Sequence, residues 1–105
     1  MKPYRNRKYL NEVGGLMTCQ LCGAMDGTIV PAHYSGMYSN SLGKGMGQKA
    51  ADHCVAALCA RCHADFDGYQ HGNGDERAAR FMTAILKTQH ALLQNGVSIA
   101  ASRED

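Results

Sequence analysis

The 105-residue sequence has no apolar run that approaches the roughly 20 residues a helix needs to cross a bilayer. Its opening stretch, MKPYRNRKYLNEVGG, also lacks the apolar core of a secretory signal peptide. The chain has no internal repeat and no linker long enough to divide it. These absences argue against a membrane partner and predict one small soluble domain, spanning residues 1–105, in a cytoplasmic compartment.

The sequence also lacks the cysteine arrangement of a disulfide framework. It has five cysteines, an odd number, and four of them form two Cys-x-x-Cys pairs. In a reducing cytoplasm such thiols stay free to bind metal. Because a domain of this size buries only a modest core, a bound metal is an effective staple.

The pairs Cys19/Cys22 and Cys59/Cys62 are separated by 36 residues. Two such pairs brought together make a tetrahedral site of four sulfurs, which suits Zn²⁺. Four thiolates leave no open position for a substrate, so we expect this zinc to be structural. Cys54 is predicted to be a small buried hydrophobe.

Other chemistries compete for the second pair. The segment Cys59–His63, CARCH, is also the attachment signature of a c-type haem. That hypothesis requires export and a second axial ligand, and it leaves the first pair unexplained. A thioredoxin-like redox site needs only one pair. Iron bound by the same four sulfurs stays an alternative, since iron and zinc both accept this ligand set.

Residue patterns predict an α+β domain with two short strands and helices at both ends. A helix within residues 4–15 is stopped by Gly14 and Gly15. Strands are predicted at Thr28–Tyr34 and His53–Cys59, with a Gly/Ser-rich loop between them, and a short helix begins near Arg61. Pro31 restricts the first strand to an edge or a strand end.

A C-terminal helix over residues 75–95 is the clearest element. Its apolar side chains recur at helical spacing, at Ala78, Phe81, Met82, Ile85 and Leu92. Asn73 or Asp75 is predicted to cap its start, and Asn95-Gly96 to end it in a left-handed turn.

The formal net charge of +2 is too small to identify a partner. Its distribution says more, because four of the eleven Lys and Arg residues lie within residues 1–8: Lys2, Arg5, Arg7 and Lys8. Such a basic N-terminal arm suits a polyanion such as DNA. From charge alone, a solvated and frayed terminus is an equal alternative.

Histidines and carboxylates near the cysteines suggest a second site. If the second cysteine pair starts a helix, His63 and Asp67 are i and i+4 and share one face. An imidazole and a carboxylate there can chelate Mg²⁺ or Mn²⁺. His33, at the end of the first strand, is expected to face His63. The alternative is that each is an ordinary surface or capping residue.

The order Cys-x-x-Cys, AHY, a Gly/Lys-rich loop ending in GQKAAD, and ALCARCH resembles the HNH nucleases. These form the His-Me finger, or ββα-metal, superfamily, and the likeness is greatest to small phage and prophage proteins, including Ref-like and NinG-like recombination nucleases. The resemblance covers roughly Tyr9–Gly72. It implies a zinc-stapled ββα-metal core over residues 16–72 with flanking helices, and a metal-dependent DNA endonuclease in a bacterial host cell.

The resemblance also implies roles for individual residues. His33 matches the general base that deprotonates the attacking water, and His63 matches a ligand of the catalytic Mg²⁺ or Mn²⁺. Asp52 lies near the Asn position that orients the base. The family often has an Asp ligand where this chain has Ala32. Asp67 is therefore chosen as the second ligand, with His53 and His71 in reserve.

Phosphate contacts are expected from Arg5, Arg7, Lys8, Lys44, Lys49 and Arg61, two of which lie in the glycine-rich loop. No small-molecule substrate is predicted. The runner-up function is a non-catalytic zinc-ribbon module that binds nucleic acid or a protein, and the missing Asp before His33 favours it. The choice between DNA and RNA, the cutting specificity, the pathway and the oligomeric state stay open.

Overall fold

The structure, a computed structural model, describes residues 4–35, 49–68 and 74–98. Its elements follow in the order α1 (Arg7–Gly14), β1 (Val30–His33), β2 (Val55–Leu58), α2 (Ala60–Asp67) and α3 (Gly74–Gln94). The predicted α+β class is confirmed. Each element lies within its predicted range or one residue outside it. None of the described helices has the length and apolarity that a membrane span requires.

Strands β1 and β2 pair antiparallel, from Val30 opposite Leu58 to His33 opposite Val55. Pro31 faces Ala57, whose own groups point away from β1. The Ala57 N–H donates to Thr88 Oγ1 at 3.0 Å, and its carbonyl accepts from the Gln20 N–H at 2.8 Å. Antiparallel pairs alternate between bonded and non-bonded positions. Pro31 occupies a non-bonded position, so its missing N–H costs no ladder bond.

Strand β2 is the centre of the fold because both of its faces are buried. Val55 and Ala57 pack into one apolar cluster and Ala56 and Leu58 into another, as side-chain alternation along a strand requires. The first cluster includes Tyr9 and Val13 of α1 with Leu92 of α3, and the second includes Phe66 of α2 with Phe81 and Ile85 of α3. All three helices therefore pack against this strand pair.

Local signals set the helix ends. Asn6 caps α1, and its side chain accepts from the Tyr9 N–H at 3.0 Å. Gly15 ends α1 where the double glycine predicted. Gly96, with φ of +79°, ends α3 and donates to the Leu93 carbonyl at 3.0 Å.

Helix α3 carries the predicted apolar stripe on its inner face. The stripe is buried at Ala78, Phe81, Ile85 and Leu92 and partly buried at Met82. Since the helix begins at Gly74, Asp75 lies in its first turn and does not cap it. Asn73 lies outside the described residues.

Thr88 links α3 to β2, and its replacement by Val tests that link. Its hydroxyl accepts from the Ala57 N–H and donates to the Ala84 carbonyl at 2.7 Å. We expect Thr88→Val to lower the free energy of unfolding by about 1–3 kcal/mol, because it leaves a buried N–H without an acceptor. Chemical denaturation measures this change.

Thr83→Val is the matched control for this experiment. Thr83 is exposed on the same helix, and its hydroxyl donates to the Ala79 carbonyl at 2.8 Å. We expect its replacement to change the free energy of unfolding by no more than about 0.5 kcal/mol. Equal losses in the two variants would contradict a special role for Thr88.

Candidate functional site

The first cysteine pair lies in a tight turn ahead of β1. Gly23 has φ of +81°, a conformation that favours glycine, and its N–H donates to the Cys19 carbonyl at 3.0 Å. The Cys19 N–H donates to the Ala24 carbonyl at 2.9 Å. The N–H groups of Leu21 and Cys22 point at the Cys19 sulfur. This turn is a metal-binding type of knuckle, with backbone amides turned toward a sulfur.

The second cysteine pair lies at the start of α2. Cys59 is the N-cap residue of this helix, and its carbonyl accepts from the His63 N–H at 3.0 Å. The N–H of Cys62 points at the Cys59 sulfur. This N–H lowers the pKa of the Cys59 thiol, but burial and the sulfurs of Cys22 and Cys19 outweigh it and raise that pKa.

The two pairs come together in one four-sulfur cluster, formed by Cys19, Cys22, Cys59 and Cys62. All four Sγ atoms lie within 4.8 Å of one another. The Cys22 and Cys59 sulfurs are 3.7 Å apart. A tetrahedron with metal–sulfur bonds of about 2.3 Å has edges of about 3.8 Å, so the cluster can hold a metal such as zinc. Its composition favours a four-sulfur metal site over haem attachment, which would use only the second pair.

The electrostatics of the cluster also favour a cation. Burial opposes ionisation of Cys19, but the N–H groups of Cys22, Cys59 and Leu21 together lower its pKa to about 7. Burial and the neighbouring sulfurs raise the pKa of the Cys62 thiol. Four thiolates this close repel one another unless a metal ion compensates their charge.

Cys54 lies in a separate part of the core. It is 4% exposed and packs with Ala50, Ala51 and Tyr4. Burial raises the pKa of its thiol. It is a buried apolar side chain, as predicted, and takes no part in the four-sulfur cluster.

A cleft lies between the end of β1 and helices α2 and α3, and both predicted site histidines line it. Its volume is about 30 Å³, and its lining includes His33, His63, Asp67 and Arg77. A water needs about 10–15 Å³ on this measure, so the cleft holds about two water-sized groups. The side chains of His63 and Asp67 are 42% and 76% exposed, which leaves this side open to solvent.

His33 is fixed by Asp52, the residue that the resemblance places loosely beside it. His33 Nε2 lies 2.9 Å from Asp52 Oδ1. Burial opposes ionisation of Asp52, but hydrogen bonds from His33, the Asn6 N–H and Arg5 together lower its pKa. An ionised carboxylate only accepts hydrogen bonds, so Nε2 of His33 carries the hydrogen and Nδ1 of the neutral ring carries the lone pair.

His63 and Asp67 share one face of α2, as their i, i+4 spacing predicts. His63 Nε2 and Asp67 Oδ2 are 3.8 Å apart. This separation is too long for a hydrogen bond. Two neighbouring ligands of an octahedral ion with bonds of about 2.1 Å lie about 3.0 Å apart, so the two side chains would have to move closer together to share one ion. An imidazole and a carboxylate are both donors that a divalent cation can use.

The predicted phosphate contacts divide into two groups. Arg7, Lys8, Lys49 and Arg61 are exposed. Arg5 is also exposed, with 40% of its side chain accessible, but its guanidinium donates to the Ala50 carbonyl at 2.6 Å. Lys2 and Lys44 lie outside the described residues.

The reserve ligand His53 does not line the cleft. His53 packs its ring against Tyr4, with ring centroids 5.4 Å apart. His71 lies outside the described residues.

Arg77 is the cleft residue that sequence reasoning missed. Its Nη2 donates to the Phe66 carbonyl, in the last turn of α2, at 2.6 Å. In the sequence it is one of several charged residues at the start of a helix, and it looks solvated. Its position four residues before Phe81 was the feature that could have indicated its role, because it places Arg77 beside the buried apolar stripe of α3.

No protein-family model, curated protein or solved structure matches this chain. The resemblance to HNH nucleases therefore depends on the short motifs of the sequence. Any function proposed for this chain therefore depends on the geometry of the four-sulfur cluster and the cleft.

Replacement of Cys22 tests metal binding at the four-sulfur cluster. Cys22 is exposed, so Cys22→Ser makes no cavity in the core. We expect the purified protein to contain one zinc per chain, and Cys22→Ser to lose most of it and to unfold at a lower temperature, because metal binding contributes to folding free energy. Metal analysis and thermal unfolding measure both effects.

Cys54→Ala is the control for this experiment, since Cys54 is a cysteine outside the cluster. It should keep the zinc, even though the small cavity it creates costs some stability. Full zinc content in Cys22→Ser, or zinc loss in Cys54→Ala, would contradict the assignment.

Proposed function

We propose that this protein is a metal-dependent endonuclease of HNH type that hydrolyses phosphodiester bonds in DNA. One observation carries the proposal. His33, held by a buried carboxylate, and the pair His63 and Asp67 line the same cleft, beside the four-sulfur cluster. The order β1, β2, α2, with antiparallel strands, also agrees with the layout that the name ββα-metal describes.

His33 is the proposed general base. Its Nε2 is occupied by Asp52, and among the described residues no group bonds its Nδ1. Imidazole titrates near neutral pH, so this nitrogen can take a proton from the water that attacks phosphorus. Asp52 stabilises the imidazolium that forms, because its negative charge lies 2.9 Å from the ring.

His63 and Asp67 are the proposed ligands of Mg²⁺ or Mn²⁺. Both side chains face solvent, which leaves coordination positions for water and phosphate oxygens, as Mg²⁺ prefers. When bound, such an ion supplies positive charge against the charge that develops on the phosphate during hydrolysis. His63 directly follows Cys62, so the four-sulfur cluster fixes the start of the helix that presents this pair.

DNA is the proposed substrate because exposed basic side chains are available for phosphate contacts. Arg7 and Lys8 lie at the start of α1, Arg61 at the start of α2, and Lys49 precedes β2. Neutralisation of several phosphates by such residues gives affinity without sequence specificity. Lys44 stays a predicted contact.

A second candidate function is a non-catalytic zinc module that binds nucleic acid or protein. The observation that favours it is Ala32, which is 1% exposed and packs into the core where the resemblance expects an acidic ligand. β1 therefore brings no carboxylate to the cleft. On this alternative, His33 and His63 would be structural.

A plasmid-nicking assay with His33→Ala separates the two functions. We expect the purified protein with Mg²⁺ or Mn²⁺ to nick plasmid DNA. His33→Ala should lower the rate at least about 100-fold, because general-base catalysis contributes this much. It should keep its zinc and its fold. Nicking by His33→Ala at the wild-type rate would exclude His33 as the base, and no nicking by the wild type would favour the non-catalytic module.

Asp67→Asn tests the second ligand. We expect it to raise the Mg²⁺ concentration for half-maximal nicking at least about tenfold, since even outer partners of metal ligands are worth that much. Asp65→Asn is the matched control, because Asp65 lies on the same helix but does not line the cleft. Identical Mg²⁺ dependence of the two variants would remove Asp67 from the site.

A further inference from the structure

We infer that Arg5 is a positioning residue, which acts through Asp52 to fix His33, and is not a DNA contact. The consequence for catalysis depends on the proposed function; the geometry does not. Among the described residues of the predicted basic arm, the Arg5 side chain is thus hydrogen-bonded to the fold, whereas those of Arg7 and Lys8 are not.

Arg5 uses both terminal nitrogens of its guanidinium in hydrogen bonds to the fold, although 40% of its side chain is exposed. Its Nη1 donates to the Ala50 carbonyl at 2.6 Å and to Asp52 Oδ1 at 3.2 Å. Its Nη2 donates to the Lys49 carbonyl at 2.7 Å. The Asp52 N–H in turn donates to the Tyr4 carbonyl at 2.8 Å. Residues 49–52, which precede β2, are therefore hydrogen-bonded to the N-terminal segment at several points.

Asp52 requires these hydrogen bonds because its side chain is only 7% exposed. Oδ2 accepts from the Asn6 N–H at 2.6 Å, and Oδ1 is shared by Arg5 and His33. A buried carboxylate is costly unless it is hydrogen-bonded and paired. Arg5 is the permanent cation of this group, since a guanidinium stays protonated at any physiological pH. Against the effect of burial, Arg5 together with His33 and the Asn6 N–H lowers the pKa of Asp52 and holds the carboxylate in place. An ionised Asp52 selects the Nε2–H form of His33.

Arg7 provides the contrast. It lies two residues further along the chain and is exposed, as Arg5 is, but its side chain has no hydrogen bond or ion pair to any described residue. Arg5 and Arg7 carry the same charge in the same segment. A role in DNA binding predicts similar behaviour for the two, and a positioning role predicts that they differ.

Ring ¹⁵N NMR of the histidines tests the inference without DNA or nuclease activity. At a pH where the rings are neutral, we expect His33 of the zinc-loaded protein to show the Nε2–H form. Arg5→Met should give a mixture of the two tautomers, while Arg7→Met should match the wild type. A His33 spectrum in Arg5→Met that equals the wild-type spectrum would overturn the inference, whether or not the protein cuts DNA.

A double-mutant cycle gives the kinetic test. With saturating plasmid, we expect Arg5→Met to slow nicking about 10- to 100-fold, as the loss of a group that orients a ligand does. In an Asp52→Asn background, Arg5→Met should cause no further loss, because its effect passes through Asp52. Losses that multiply would overturn the inference.

Salt dependence of DNA binding separates Arg5 from Arg7. Loss of one phosphate contact reduces the slope of log affinity against log salt by about 0.9. We expect this reduction for Arg7→Met and none for Arg5→Met; the reverse result would overturn the inference. Arg5→Lys is the control for misfolding. If Arg5→Met loses zinc or helicity, the same three measurements are made on Arg5→Lys and decide the question. Lys keeps the positive charge but lacks the planar set of N–H donors of the guanidinium.

Discussion

The closure of the four-sulfur cluster is the constraint on which the rest of this structure depends. Two turns separated by 36 residues of sequence meet there, one ahead of β1 and the other at the start of α2. A two-stranded sheet is marginal by itself in water. Packing of three helices against β2 contributes stability. The cluster ties the entry of β1 to the first turn of α2, where the Ala60 N–H also donates to Thr28 Oγ1 at 2.9 Å. A metal ion bound at this point would close a long loop of the chain. The same ion would compensate the repulsion between the four thiolates.

Two independent constraints then act on the two histidines of the cleft. His63 is covalently next to Cys62, so it is placed by the sulfur cluster. His33 ends β1 and is placed by Asp52, whose carboxylate is held by the N-terminal segment. The cleft therefore forms where the constraint of the sulfur cluster meets a hydrogen-bonded one. The His33 ring is oriented by Asp52, and the backbone of His63 is placed by its neighbour Cys62.

Local patterns explain how much of this could be predicted from sequence. Cysteine spacing, the helical stripe of α3 and the glycine stops depend on neighbours within a few residues, and the structure has these elements at their predicted places. The positioning role of Arg5 depends on hydrogen-bond partners 44 to 47 residues away in the sequence, and the residues next to Arg5 do not indicate them. Arg77 was missed for a similar reason, because its place in the cleft depends on how α3 packs against α2. Charged residues near a terminus look solvated until the fold supplies acceptors.

Ala32 stands where the HNH resemblance expects an acidic metal ligand. The alternation of side chains along β1 explains how the cleft keeps its histidine without a carboxylate at this position. Ala32 points into the core at 1% exposure, and His33 points to the other side. In this backbone a carboxylate at position 32 would be buried among apolar side chains, where its charge would be costly. Helix α2 instead offers Asp67 one turn after His63, on the face that is open to water. An exposed pair of this kind suits a partly hydrated ion, because Mg²⁺ keeps several of its waters. On the proposed function, the departure from the HNH pattern thus moves the acidic ligand from a strand to a helix and leaves the base where the pattern puts it.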